Sequence, residues 1–264
     1  MEVSHEVIGI VGKGRMARAL GALLAPVVFT GTSVFDYQHI LIAVTDDAIP
    51  SVAVELAESG LTGAIVLHTS GAAGPDALSV LRDAGNSVGV LHPLQTVPSA
   101  ERGVETLPGA TYAFAGDAPA TEWARRLISR LEGKALEIDP RYWPHYHSAA
   151  VMACNYQVTL MDSALELMEK AGIARPVALD ALGPILRATT ENILQAGPER
   201  ALTGPIVRGD AGTLRGHLAA LESAMPETRN LYIAAGLRTL PIAARAGLAQ
   251  QTAEKLARVL TGKE

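Results

Sequence analysis

Short apolar runs rich in β-branched residues recur along the first half of the chain. They fall at 7–11 (VIGIV), 27–30 (VVFT), 39–44 (HILIAV), 64–69 (AIVLHT), 87–92 (SVGVLH), 111–116 (TYAFAG) and 134–139 (KALEID). Most are continuous rather than alternating, which is the pattern of strands covered on both faces. Stretches at 14–25, 49–59, 75–84 and 119–131 predict helices between them, so the region reads as βαβ units building a parallel sheet. One link is too short for that plan. Only TGTSVFDYQ separates VVFT from HILIAV, whereas a parallel crossover takes a dozen or more residues. A crossover helix is missing there, and VVFT is either an edge strand or part of a loop.

After the Pro-rich joint DPRYWPHYH (139–147) the alternation stops and everything to residue 264 reads as helix. We therefore divide the chain into an α/β domain, 1–140, and an all-helical domain, 141–264. The first helix of the second domain is expected to run unbroken from 143 to Gly172, which follows Lys170 as a C-terminal signal. Its apolar side chains point to nearly every face, and such a helix must be covered all round. A small helical domain cannot do that alone, so a homodimer formed through it is expected, two-fold symmetric as most are. Further helices are predicted at 176–196, 211–224, 226–247 and 249–261, with Pro176 and Pro226 in first turns.

Composition narrows the class. A chain of 264 residues buries a sizeable core without disulfides or metals, and its one cysteine, Cys154, fits a reducing compartment and reads as a packed, structural thiol. A net charge of −5, with basic residues scattered, gives no field for nucleic acid. The N-terminus lacks a basic segment before a long apolar core, and no stretch approaches the ~18 apolar residues of a membrane span. A soluble cytoplasmic enzyme without nucleic-acid or membrane partners is the expectation.

The first strand runs directly into Gly12-Lys13-Gly14-Arg15-Met16-Ala17, a G-x-G-x-x-A turn between a strand and a helix. In that context Gly12 permits the tight turn, Gly14 lets backbone approach a pyrophosphate, and Ala17 lets helix and strand pack closely, while the helix N-terminus supplies free N–H groups. A Rossmann-like dinucleotide site is the consequence. The acidic residue that would hold an adenosine ribose is absent, since Thr30-Gly31-Thr32-Ser33 stands at the end of the second strand and Asp36 comes late. Lys13, Arg15, Thr32 and Ser33 could instead receive a 2′-phosphate, which favours NADP over NAD.

Ligands of open parallel sheets lie beyond the carboxyl ends of the strands. There the third strand delivers Thr45-Asp46-Asp47, the fourth His68-Thr69-Ser70-Gly71 and the fifth His92-Pro93-Leu94-Gln95-Thr96. His68 and His92 are each open to a catalytic or a loop-bonding role, and Thr69 or Ser70 to capping the next helix. On the long helix His147, Val151 and Asn155 share one stripe at i, i+4 and i+8; the two polar side chains either bond between helices or face a cleft. His145, nearer the joint, is expected to be exposed. In TGPIVRGD, Asp210 suits an N-cap, and Arg208 either clamps a substrate carboxylate or pairs with Asp210.

Taken in order, GIVGKGRMA, AVTDDAI, HTSG, LHPLQT, YHSAAVMACNY and TGPIVRGD make the chain resemble, over nearly its full length, bacterial Rossmann-like proteins with a C-terminal helical domain of unassigned function. That group is similar to pyrroline-5-carboxylate reductase and the 6-phosphogluconate dehydrogenase-like enzymes. The resemblance implies an NADP-linked reductase or dehydrogenase. It implies Gly12, Gly14 and Ala17 at the pyrophosphate, Val44-Thr45-Asp46 beside the cofactor, and His68, Ser70, His92, His147, Asn155 and Arg208 around the cleft. Where the related β-hydroxyacid dehydrogenases use a lysine, four residues before the asparagine, this chain has Val151, leaving His147 as the candidate proton donor.

The expected reaction is hydride transfer between NADP(H) and a small carbonyl or imine compound bearing a carboxylate, in a cleft between the two domains. His147 would exchange a proton, as an imidazole titrating near neutrality can; Asn155 would orient the substrate, Ser70 and His92 would polarise it, and Arg208 would hold the carboxylate. A sensor that binds nucleotide without turnover is the rival. A metal site of His68, His92 and His147 is chemically allowed, but no metal-ligand spacing supports it.

Overall fold

All seven apolar runs are strands in the computed structural model, which describes residues 7–30, 37–221 and 225–263. They are β1 (Ile8–Val11), β2 (Val27–Thr30), β3 (His39–Ile42), β4 (Ile65–His68), β5 (Ser87–Pro93), β6 (Thr111–Gly116) and β7 (Lys134–Glu137). One sheet holds them in the order β2-β1-β3-β4-β5-β6-β7. The short link after β2 thus leaves it as an edge strand, paired only with β1. The chain divides into two compact units, one extending to Tyr156 and the other starting at Gln157.

Successive side chains of each strand point to opposite faces, and helices cover both. Ile10, Leu41, Leu67 and Leu91 pack under α1 (Arg15–Leu23) and, with Trp123 and Leu127, under a later helix, Ala118–Arg130. Ile40, Ile42, Val66 and Val88 face the other way, against α2 (Ile49–Glu58) and α3 (Ser79–Asp83). Truncating one such fully buried side chain, Leu41→Ala, costs about 2–5 kcal/mol. The predicted helix at 75–84 begins as a 3-10 turn, Pro75–Leu78, before α3.

The sheet is not parallel throughout. β5 and β6 are antiparallel, and β7 follows β6 in parallel. The cause is α4 (Ala100–Thr106), a helix the sequence pattern does not announce. It packs on α1, where Gly103 meets Ala19, instead of crossing the sheet. The chain therefore re-enters at the edge it left, with the Leu94 N–H donating to the Thr111 carbonyl at 2.8 Å. α5 (Ala118–Arg130) then leads to β7.

Beyond β7, α6 (Trp143–Ala153) lies on the sheet. Trp143 packs with Val90, Ala113 and Ala115, and its indole N–H donates to the Gly71 carbonyl at 2.9 Å. The expected unbroken helix ends here: Cys154, with φ −117°, interrupts it before α7 (Asn155–Lys170). Cys154 is exposed rather than packed, like Met152 and Tyr156 on either side of it in the single chain. Gly172, at φ 81°, ends α7 as its position predicts.

In the second unit α8 (Arg175–Ala196), the single turn α9 (Pro198–Ala201), α10 (Ala211–Leu221), α11 (Pro226–Arg245) and α12 (Gln250–Thr261) follow. Leu214, Leu218, Leu240, Leu256 and Leu260 of α10, α11 and α12 form its core. Pro176 and Pro226 open α8 and α11. The faces of α7 and α8 are open in the single chain, with Val158 70%, Ile185 63% and Leu194 77% exposed.

Candidate functional site

The turn after β1 is shaped for close backbone approach. Gly12 has φ 133°, and a Cβ there would lie 2.3 Å from the Ala43 carbonyl oxygen. Only glycine fits between β1 and β3 at that point. A Cβ on Gly14 would meet nothing within 4 Å, so this stretch of backbone borders open space. Gly14 is also the N-cap of α1, and no side chain caps the helix, which leaves its first N–H groups available. Ala17 is fully buried, letting α1 sit close to the sheet. The groove in front encloses about 560 Å³ and is lined by Lys13, Gly14, Arg15, Met16, Val44 and Thr45, and by Gln95. Arg15 is anchored across it, donating to the Pro98 carbonyl at 2.9 Å, and Arg18 lines an adjoining hollow together with Lys13 and Arg15. Thr32 and Ser33 lie outside the described residues.

A second, wider cleft of about 660 Å³ belongs wholly to the first unit. His92, Gln95 and Thr96 from the end of β5 form one side, and His147, Val151 and Asn155 another. The stripe predicted on one helix face therefore survives the break at Cys154. Gln95 borders both the Gly-rich groove and this cleft, so the two spaces adjoin.

The histidines do different things. His68 is fully buried. Its Nδ1 accepts from the Ser70 N–H at 3.2 Å and its Nε2 lies 3.0 Å from the Gly74 carbonyl. Those partners require the neutral tautomer with the proton on Nε2, and burial pulls its pKa down to about 4, against weaker upward pulls from the Gly74 carbonyl and Asp46. Both nitrogens are thus engaged in holding the 68–74 turn. Ser70 is buried too; its hydroxyl accepts from the Ala73 N–H at 3.0 Å, closing the turn rather than capping a helix.

That turn presents Gly71 to the other two imidazoles. A Cβ on Gly71 would sit 2.6 Å from His92 Nε2 and 2.7 Å from His147 Nδ1, and the two rings meet edge to face with centroids 6.0 Å apart. His92 Nδ1 lies 2.6 Å from the Tyr146 hydroxyl. Burial first, then repulsion by His147, lowers the His92 pKa to about 4, with Asp46 opposing. Burial pushes the Tyr146 phenol up to about 12, so Tyr146 keeps its proton and donates to a neutral His92 at pH 7. His147 Nδ1 is buried with no hydrogen-bond partner. The arrangement offers a neutral donor-acceptor chain, Tyr146 to His92, beside an unsatisfied imidazole nitrogen.

The remaining candidates are more exposed. Asp46 and Thr45 are exposed at the turn after β3. His145 is exposed, as expected. Arg208 is exposed in the second unit. Asp210 accepts from the Thr213 N–H at 3.0 Å as the N-cap of α10, and among the described residues no ion pair joins it to Arg208. Nothing in the sequence pattern assigns roles to Gly71, Tyr146 or Gln95. The available signal for Tyr146 was its place one turn after Trp143, on the face of α6 that packs on the sheet. Among the described residues no three His, Cys, Asp or Glu side chains are grouped to hold a metal.

The fold and this paired-groove geometry define an α/β dinucleotide-type architecture followed by a helical unit. A family model described as a domain of unknown function, DUF2520, matches residues 110–239. No curated protein matches the chain. Among solved structures, protein TM1727 from Thermotoga maritima is similar at 21% identity and TM-score 0.73, covering 90% of this chain and 98% of its own. BF3122 from Bacteroides fragilis, a proposed NADP oxidoreductase, is 20% identical with TM-score 0.68, over 88% and 98%. The pyrroline carboxylate reductase of Plasmodium falciparum, solved with NADP bound, is 12% identical with TM-score 0.56, over 96% and 98%. The fold is therefore shared with the pyrroline carboxylate reductases that the motifs resemble.

Proposed function

We propose that the chain is an NADP-linked oxidoreductase acting on a small carbonyl or imine compound. The observation that carries this is the shared border at Gln95: it lines both the groove at the uncapped N-terminus of α1 and the cleft holding His92, Tyr146 and His147. The residues present fit a dinucleotide. Gly12 and Gly14 leave backbone exposed for a pyrophosphate, Val44 and Thr45 also line the groove, and the sequence has Thr-Gly-Thr-Ser rather than a carboxylate at 30–33, where a ribose-binding acid would stand. Lys13, Arg15 and Arg18 supply three positive charges nearby against the single carboxylate of Glu101 in the same hollow, a balance that favours NADP over NAD. When bound, that cofactor would supply or accept the hydride.

The chain's own residues would then manage orientation and the proton. His147 exchanges a proton with the substrate oxygen or nitrogen, and Asn155 orients the substrate from the start of α7. His92, held by Tyr146, donates a hydrogen bond from Nε2 and polarises the reacting group. Ser70 and His68 act by holding Gly71 in place. A carboxylate on the substrate, the finer expectation, depends on Arg208. We further propose a homodimer that covers the open apolar faces of α7 and α8, and a cytoplasmic setting, which preserves the exposed thiol of Cys154.

The test is His147→Ala. Turnover of a carbonyl or imine substrate should fall by about 10²-fold or more, with NADPH affinity, followed by nicotinamide fluorescence, unchanged. Equal turnover removes His147 from the reaction. Nucleotide binding with no turnover of any carbonyl or imine by the unmodified protein would make it a sensor instead.

A further inference from the structure

We propose that the cleft selects an uncharged substrate, a ketone or imine with apolar ring or alkyl substituents, in preference to one bearing a carboxylate. The inference rests on the oxidoreductase assignment and specifies its substrate class. Away from the histidine cluster the lining is mostly apolar, with Leu94, Leu136, Ala149, Ala150, Val151 and Ala153, and the uncharged Gln95, Thr96 and Cys154 complete it. Among the described residues that line it, none is Lys, Arg, Asp or Glu. The polar groups that line it, the imidazoles, Tyr146, Gln95, Thr96 and the Asn155 amide, are all without a fixed charge. They include no permanent cation to pair with a carboxylate, and the proton His147 exchanges is committed to the reacting atom.

A carboxylate entering this space would give up hydration without a charged partner, which is costly where walls are apolar. The charge that His92 does feel from outside the cluster is that of Asp46, an anion, and it opposes a second negative charge. At about 660 Å³ the space lies within the range of small-molecule sites.

The experiment compares 4-methylcyclohexanone with 4-oxocyclohexane-1-carboxylate, which differ by methyl for carboxylate on one ring. Binding is measured by calorimetry on the full chain with and without NADP⁺, and turnover by NADPH oxidation. The methyl ketone should bind at least about tenfold more tightly, and 4-ethylcyclohexanone about fourfold more tightly again for its added methylene. Val151→Arg, which places a guanidinium in the lining between His147 and Asn155, should narrow or reverse the preference. Equal or tighter binding of the carboxylate by the unmodified protein overturns the proposal, as does failure of both ketones to bind. The unmodified pair decides the matter even should V151R not fold. Selective binding of the methyl ketone without NADPH oxidation leaves the substrate class standing and refutes the oxidoreductase assignment instead.

Discussion

Lowering the pH from 7 to 4.5 should loosen the first unit through His68. In the fold its pKa lies near 4, against an ordinary 6.5, so the unfolded chain binds a proton there that the folded one refuses. The stabilisation is complete above pH 6.5 and is lost as the pH falls from 6.5 towards 4. Each pH unit of that window removes about 1.4 kcal/mol per imidazole, and the full drop amounts to about 3 kcal/mol for His68. The structural cause is specific. A protonated ring can no longer accept from the Ser70 N–H, so the turn carrying Gly71 gives way. Trp123 and Trp143 are both buried in the first unit, and their fluorescence during urea unfolding at pH 7, 6, 5 and 4.5 reads the effect directly. His92 adds a second proton to the same window. His68→Asn should therefore lower stability at pH 7 yet flatten the slope by about one proton. A variant that is less stable but keeps the full slope would falsify the assignment, as would a His68 ring resonance in the native protein titrating near 6.5.

Three further outcomes follow from local geometry. Gly12→Ala drives a methyl into the Ala43 carbonyl at a positive φ, so NADPH binding should be lost and stability reduced by about 3 kcal/mol, checked by fluorescence titration and urea melts. Gly71→Ala pushes against His92 Nε2 and His147 Nδ1; turnover should fall at least about tenfold with NADPH affinity retained, and a turnover matching the parent would show that the imidazole positions are immaterial. Asn86→Ala removes an amide that accepts from the Ala64 N–H at 3.0 Å and donates to the Leu61 and Leu81 carbonyls at 2.9 and 3.0 Å. Leaving those buried groups unmet should cost about 2–4 kcal/mol with little effect on cofactor affinity at pH 7.

The strands were legible because each is a continuous apolar run between turn residues, and their number and near-boundaries follow from that alone. Strand direction was not. Nothing within TYAFAG says that β6 runs backwards, because the reversal depends on α4 docking beside α1 through Gly103 and Ala19, a contact between distant segments. The break at Cys154 was hidden for a different reason: AVMACNY contains no proline or glycine to mark it. In the site, the Gly-rich turn and the His147–Val151–Asn155 stripe were readable as local spacing. The separation of roles among the histidines was not, since it depends on which ring nitrogen finds Ser70, Gly74 or Tyr146. Arg208 was readable as a guanidinium in a rigid Gly-Pro turn, and that local pattern carries no information on what it faces.

The reversed pair β6 and β7 gives α6 an additional duty. Because the chain leaves β7 heading away from the Gly-rich turn, it is this helix that brings the peptide back, with Trp143 fastened to Gly71 at its start and Asn155 delivered just past its end. Its length thus behaves as a gauge. A single residue inserted between Trp143 and His147 would turn everything downstream by about 100°, carrying the imidazole off its post while the tryptophan stays anchored. Natural variation in this stretch should therefore come as substitutions and not as insertions or deletions.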